Sequence, residues 1–142
     1  MPSRRNPLKA HATMASDANR LAMLNLAVDE IRKNSAQCSV SVSDIELELP
    51  YPSYTVNTLR ELKHRFDNIE FRLLIGADNW ATFGKWRCAG EILADFGLMI
   101  YPRPGYSVEI AGTDNVILLP DATPQFPHSS TQVRAMISRH DS

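Results

Sequence analysis

The chain has almost no net charge. Its 15 Lys and Arg against 16 Asp and Glu leave −1, so it lacks the basic excess that would point to a nucleic-acid binder. No run of about 18 apolar residues exists, which excludes a membrane-spanning helix on sequence grounds. Cysteine is scarce. Cys38 and Cys88 have no C-x-x-C spacing and predict neither a disulfide framework nor a zinc site, which fits a reducing, cytoplasmic setting. His11, His64, His128 and His140 are scattered without metal-ligand spacing. The first residues, MPSRRNPLKAHATMASDANR, are basic but have no apolar centre, so no signal peptide is expected. Internal repeats and low-complexity tracts are also missing. What remains is 44% apolar and 22% charged residues over 142 positions, enough for one domain with a real core and too ordinary for disorder.

Periodicity sets the elements. Residues 17–33 carry Leu21, Leu24, Ala27, Val28 and Ile31 at helical spacing, with Asp17 as a cap. Residues 39–49, SVSVSDIELEL, alternate apolar and polar and predict a half-buried strand. Pro50-Tyr51-Pro52 interrupts it. A helix is expected from about Thr55 to Phe66, with Leu59, Leu62 and Phe66 on one face. The stretch EFRLLIGAD predicts a buried strand ending at Gly76. One or two short helices follow over 79–95. GLMIYP (97–102) and VILLP (116–120) predict two more strands, and a helix is expected from about Ser130 to Arg139. Strands alternating with helices predict an α/β domain with a mainly parallel sheet, whose ligands bind at the carboxyl ends of its strands.

Four stretches offer chemistry, each beside a plainer role. Ser129-Ser130-Thr131-Gln132-Val133-Arg134 opens the last helix. Ser129 and Gln132 have capping-box spacing, and a helix start with hydroxyls and an arginine also suits phosphate. Gly76-Ala77-Asp78 follows a strand. Gly76 permits close approach of a ligand and Asp78 can accept from ribose hydroxyls, or Asp78 merely caps the next helix. Trp80 and Trp86 can stack on a heterocycle or serve as half-buried core. Thr55 is a credible N-cap, and the N–H groups beyond it could hold a carboxylate. Lys9 is a phosphate contact or a surface lysine. None of these is specific singly.

Their order is. NPLK at 6–9, Arg20-x-x-Met23-Leu24, SYTVNTL at 53–59, LLIGADNW at 73–80, Phe83-x-x-Trp86, RPGY at 103–106 and SSTQVR at 129–134 together resemble the bacterial nicotinate mononucleotide adenylyltransferase family of the nucleotidyltransferase superfamily. The likeness runs from Asn6 to about Ile137. It implies a Rossmann-like fold with helices on both faces of the sheet, and adenylyl transfer from ATP to nicotinate mononucleotide with Mg²⁺, giving deamido-NAD and pyrophosphate. By the same likeness Ser130, Thr131, Arg134 and Lys9 would meet ATP or phosphate. Tyr54 and Thr55 would face the nicotinate carboxylate, Gly76 and Asp78 would line the nucleotide pocket, and Trp86 would stack on the pyridine ring. No protein-held metal is implied.

The family opens with a strand and a Gly-x-Phe-Asp-Pro-x-His-x-Gly-His loop, and no such stretch occurs here. The expectation is a single nucleotidyltransferase domain over 1–142, N-terminally truncated relative to the family. It would lack the first strand, its loop and the histidine pair, and its turnover would be impaired. Two other readings stay open: an adenylyltransferase for another phosphate such as phosphopantetheine, and a non-catalytic nucleotide-binding remnant.

Overall fold

The computed structural model describes residue 2 and residues 16–34, 36–121 and 130–140. It divides into two compact units, 1–70 and 71–142.

In the first unit, α1 spans Asp17–Asn34, α2 Ile45–Glu48 and α3 Thr55–Arg65. Ser16, not Asp17, caps α1: its hydroxyl accepts from the Asn19 N–H at 3.2 Å and its carbonyl from the Arg20 N–H at 2.9 Å. Asp17 lies inside the helix and pairs with Arg20, a favourable place for an acid near a positive dipole end. Of the expected apolar face of α1, Val28 is buried and Leu21 and Leu24 are half-buried, while Ala27 and Ile31 are exposed. Helix α3 buries Val56, Thr58 and Leu59. It ends one residue before Phe66, which is exposed, and Lys63, His64 and Arg65 fill its last turn. Arg65 reaches Glu61 at 2.7 Å and Glu48 at 3.0 Å, tying α3 to the end of α2.

The strand expected over 39–49 does not form. Residues 39–44 are irregular and Ile45–Glu48 make a short helical turn. Alternation specifies which side chains could face a core, but a strand also needs a neighbour to complete its ladder. Among the described residues, none pairs with this stretch. Ile45 and Glu46 are buried nonetheless. Burial pushes the Glu46 carboxyl above its ordinary range, with a hydrogen bond to Thr58 opposing the shift.

The second unit holds a parallel sheet in the order β1-β2-β3, with β1 at Leu73–Gly76, β2 at Leu98–Tyr101 and β3 at Val116–Leu118. Leu73 pairs with Leu98 and Leu98 with Val116. Between β1 and β2 lie α4 (Ala77–Trp80), a 3-10 turn at Phe83–Lys85, α5 (Ala89–Glu91) and a π-type turn at Ile92–Phe96. Helix α6 is Ser130–His140. The core of this unit is Ile75, Ala77, Phe83, Ile92, Phe96, Leu98 and Ile100. The other face of the sheet carries Leu74, Met99 and Ile117 side by side, with Leu74 and Ile117 exposed.

Gly97 makes the turn into β2. Its φ is +80°, and a Cβ there would sit 2.7 Å from the Asn115 side chain. Asn115 occupies that space with purpose: its Nδ2 donates to the Leu93 carbonyl at 2.7 Å, and its own carbonyl accepts from the Leu98 N–H at 3.0 Å. One residue, through its side chain and its backbone carbonyl, thereby ties the starts of β2 and β3 to the preceding turn.

Candidate functional site

Parallel strands all end on one side, so the residues following β1 and β2 are neighbours. After β1 the chain turns directly into α4. Gly76 is the residue before the helix, with φ −76° and ψ 158°. Asp78 does not cap α4. Its carboxylate instead turns back over the strand end, where its Oδ2 accepts from the Arg103 guanidinium at 3.2 Å. Arg103 comes from just beyond β2. The Asp78 side chain keeps 33% of its surface and that of Arg103 27%, so the pair is partly shielded from water, and its attraction exceeds that of a fully solvated pair.

A side chain at 76 is opposed by the room available and not by the backbone angle. A Cβ there would lie 2.4 Å from Asp78 Oδ1 and 3.3 Å from Arg103 Cδ. With hydrogen at that place, Oδ1 settles into the gap. It is buried there without a hydrogen-bond partner. A buried acceptor left unpaired costs about 1–3 kcal/mol.

Beyond α4, three aromatics meet. Trp80 and Phe83 stack with centroids 5.5 Å apart and planes 18° from parallel. Phe83 and Trp86 lie 5.4 Å apart at 52°. Phe83 is buried and the two indoles are half-buried. The Trp86 N–H closes the 3-10 turn on the Phe83 carbonyl at 2.9 Å. Phe83 therefore acts as the wedge that sets the Trp86 ring, with contacts of this kind contributing about 0.5–1.5 kcal/mol each.

The remaining expected residues divide as follows. In the first unit, Tyr54 is the N-cap of α3, in an extended conformation, and Thr55 is the first helical residue and not its cap. No side chain caps this helix; the Tyr54 carbonyl accepts from the Asn57 N–H at 3.0 Å and the Thr58 N–H at 3.3 Å. The adjacent Ser53 hydroxyl is buried without a hydrogen-bond partner. In the second unit, Ser130 opens α6, and Thr131 and Arg134 follow on it, both exposed. Lys9 and Ser129 lie outside the described residues. Two residues that entered the sequence reading only as parts of motifs contribute here. RPGY was one motif of the family resemblance, with no role given to its arginine, which follows β2 as Asp78 follows β1. Phe83 stands three residues from each tryptophan, a spacing that places all three aromatics together once the turn is known.

The cytidylyltransferase-like family model matches residues 1–136. The chain belongs to the cytidylyltransferase-like family. Among its curated relatives, a "probable nicotinate-nucleotide adenylyltransferase" of Bacteroides thetaiotaomicron is 38% identical over 134 residues, covering 94% of this chain and 63% of the relative. A protein of the same description from Flavobacterium johnsoniae is 44% identical over 98 residues, 69% of this chain and 48% of its own length. The chain thus spans under two thirds of either relative. Membership extends to shape. The Plasmodium falciparum nicotinic acid mononucleotide adenylyltransferase complexed with NaAD superposes with a TM-score of 0.63 at 14% identity, over 87% of this chain and 58% of that one. Its complex with APC gives 0.60 at 16% identity, over 85% and 58%. The Rossmann-like nucleotidyltransferase fold of the family is the fold of this chain, its parallel sheet included. Among the described residues no helix is long and apolar enough to cross a membrane.

Proposed function

We propose that the chain binds nicotinate mononucleotide and ATP for adenylyl transfer in NAD biosynthesis. The 5′-phosphate oxygen of the mononucleotide forms a bond to the α-phosphorus of ATP as the bond to the β-phosphate oxygen breaks, giving deamido-NAD and pyrophosphate. The observation that carries this reading is the Asp78 carboxylate. Arg103 holds it where the adjacent strands β1 and β2 end, the side of a parallel sheet at which such folds take their ligands. The relatives' descriptions supply the substrate.

In this reading Gly76 and Asp78 hold the mononucleotide ribose and Trp86, set by Phe83, stacks on the pyridine ring. The backbone N–H groups that follow Tyr54, beginning at Thr55, meet the nicotinate carboxylate. Ser130, Thr131 and Arg134 at the start of α6 meet the ATP phosphates, with Lys9 near a phosphate. Mg²⁺ arrives with ATP as part of that substrate and neutralises triphosphate charge. The described residues include no cluster of three His, Cys, Asp or Glu fit to hold a metal by themselves. Nucleotidyl transfer needs alignment and charge neutralisation more than covalent help from side chains, which suits this set. A cytoplasmic setting follows from the same reading, since ATP and the mononucleotide are found there.

Titration calorimetry tests the substrate. Nicotinate mononucleotide should bind at least about tenfold tighter than its amide, the difference of one charge-assisted contact. Equal affinities would remove the carboxylate assignment. Turnover by the chain alone should be low, because the family's histidine pair is not among its residues. Supplying a segment with that loop upstream should raise the rate, and equal rates would refute the point.

A further inference from the structure

We propose that Glu46 and Thr58 form a proton-linked relay behind the first turn of α3, and that Glu46 gives up its negative charge, by taking up a proton, when a carboxylate ligand docks at that turn. The relay acts through the helix, without touching the ligand. This rests on the reading above that places the nicotinate carboxylate at the start of α3, and it names two residues that reading does not use.

Glu46 is 8% exposed and Thr58 is fully buried, although an acid is rarely buried without a partner of opposite charge. The nearby arginine is already engaged: Arg65 holds Glu48 at 3.0 Å and Glu61 at 2.7 Å. Glu46 has the Thr58 hydroxyl instead. That hydroxyl has a second acceptor, the Tyr54 carbonyl at 3.5 Å. It carries one hydrogen and cannot serve both acceptors fully. The Tyr54 distance is long for a hydroxyl donor, so here the hydrogen belongs to Glu46. A neutral Glu46 reverses the order. Its own O–H then donates to Thr58, and Thr58 donates to Tyr54.

Charge supplies the coupling. Tyr54 is the N-cap of α3 and no side chain caps this helix, which leaves its first N–H groups and positive dipole end to a ligand. A carboxylate buried one turn behind opposes an anion docked there, and the shielding from water strengthens the repulsion. Burial already favours the neutral form of Glu46, against the Thr58 hydrogen bond and a weaker attraction to the chain's amino group. The ligand's charge adds to burial. Other charged groups of these elements are engaged or distant. Glu48, Glu61 and Arg65 satisfy one another. Asp44 is exposed, as is Arg60, which donates to Asn57 at 3.2 Å. Lys63 and His64 belong to the last turn, about 13 Å further along the axis.

The test is titration calorimetry of the full chain with nicotinate mononucleotide and with its amide, in buffers of different ionisation enthalpy, which reads proton uptake. Both ligands carry the same 5′-phosphate, so their difference isolates the ring substituent. The acid should take up a fraction of a proton more than the amide, with a maximum above the ordinary carboxylate range of about 4. Glu46→Gln is neutral and still able to donate to Thr58. It should abolish the excess uptake and bind the acid about three- to tenfold tighter at neutral pH, with the amide little changed. Thr58→Val removes the donor that steadies the charged form and should move the maximum to higher pH, and Thr58→Ser should restore it. Thermal melts by circular dichroism identify any variant that fails to fold, and the comparison of acid with amide in the parent then decides by itself.

Equal proton uptake for acid and amide, with the acid still the tighter ligand, overturns the inference and leaves the substrate reading intact. Excess uptake that persists in Glu46→Gln assigns the proton to another group and overturns it as well. Equal affinity for acid and amide removes the carboxylate from this turn and ends both, as does binding of neither.

Discussion

Asp78 and Arg103 are 25 residues apart and meet at 3.2 Å. Thr131 and Arg134 are one turn apart on α6, where every residue from 131 to 139 is exposed. Both places carry polar residues suited to a nucleotide. The first is made by tertiary contact, with one oxygen fixed, another buried, and a glycine leaving room. The second is made by a helix alone, with its side chains in water. Groups held by a sheet can be specific before a ligand arrives, because their ordering cost is met in folding. Groups on an exposed helix must be ordered by the ligand itself, and suit a strong, undiscriminating charge such as a triphosphate.

The largest effect that could break this contrast lies beneath the two places. Ile100 on β2 is fully buried and Ile137 on α6 is 57% exposed. Ile100→Ala should cost about 2–5 kcal/mol in urea denaturation, from lost burial plus the cavity, and Ile137→Ala less than about 0.5 kcal/mol. Equal costs would mean that α6 is as firmly held as the sheet. Next comes Gly76→Ala. The added methyl would meet a side-chain oxygen at 2.4 Å, and the carboxylate can swing away without unfolding anything. Affinity for nicotinate mononucleotide should fall about tenfold, with stability changed by under about 1 kcal/mol. A lost fold with binding retained in the folded fraction would reverse that account.

Arg134→Ala sharpens the other side of the contrast. Exposed on α6, it should leave the melting temperature unchanged and lower ATP affinity about three- to tenfold, more at low salt than at high. An effect on stability alone would make it a surface charge and nothing more.

The smallest effect concerns a second carboxylate. Asp78 has an arginine, whereas burial raises the Glu46 carboxyl, with the Thr58 hydroxyl foremost among the weaker effects that oppose the shift. A carboxyl raised in the folded state binds more protons there than in the unfolded chain. Stability therefore falls as pH rises through the window between the unfolded and folded values, and the cost is complete above it. Glu46→Gln should flatten stability against pH between about pH 4 and 7 and gain relative to the parent at the neutral end. An unchanged slope would show that Glu46 is better solvated than its burial suggests.

The elements themselves were largely legible. Helices at 17–33, 55–66 and 130–139, and strands over 71–76, 97–102 and 116–120, are found within a few residues of their expected bounds, because periodicity and punctuation are local. The alternation at 39–49 misled, because a strand requires a partner that alternation cannot supply. Capping by Ser16 and not Asp17 was missed by a single position, at a boundary where Ser and Asp compete as equals.

Sequence alone thus determined the order of helices and strands, the parallel class of the sheet, and the family, since each depends on short-range pattern or on motifs in series. Tertiary structure decided that Asp78 binds Arg103 instead of capping α4, that Phe83 wedges Trp86, and that Asn115 occupies the space beside Gly97. These are contacts between distant positions. Whether two side chains meet depends on sheet register and on the room left by a missing Cβ, and neither is encoded by the residues immediately around them.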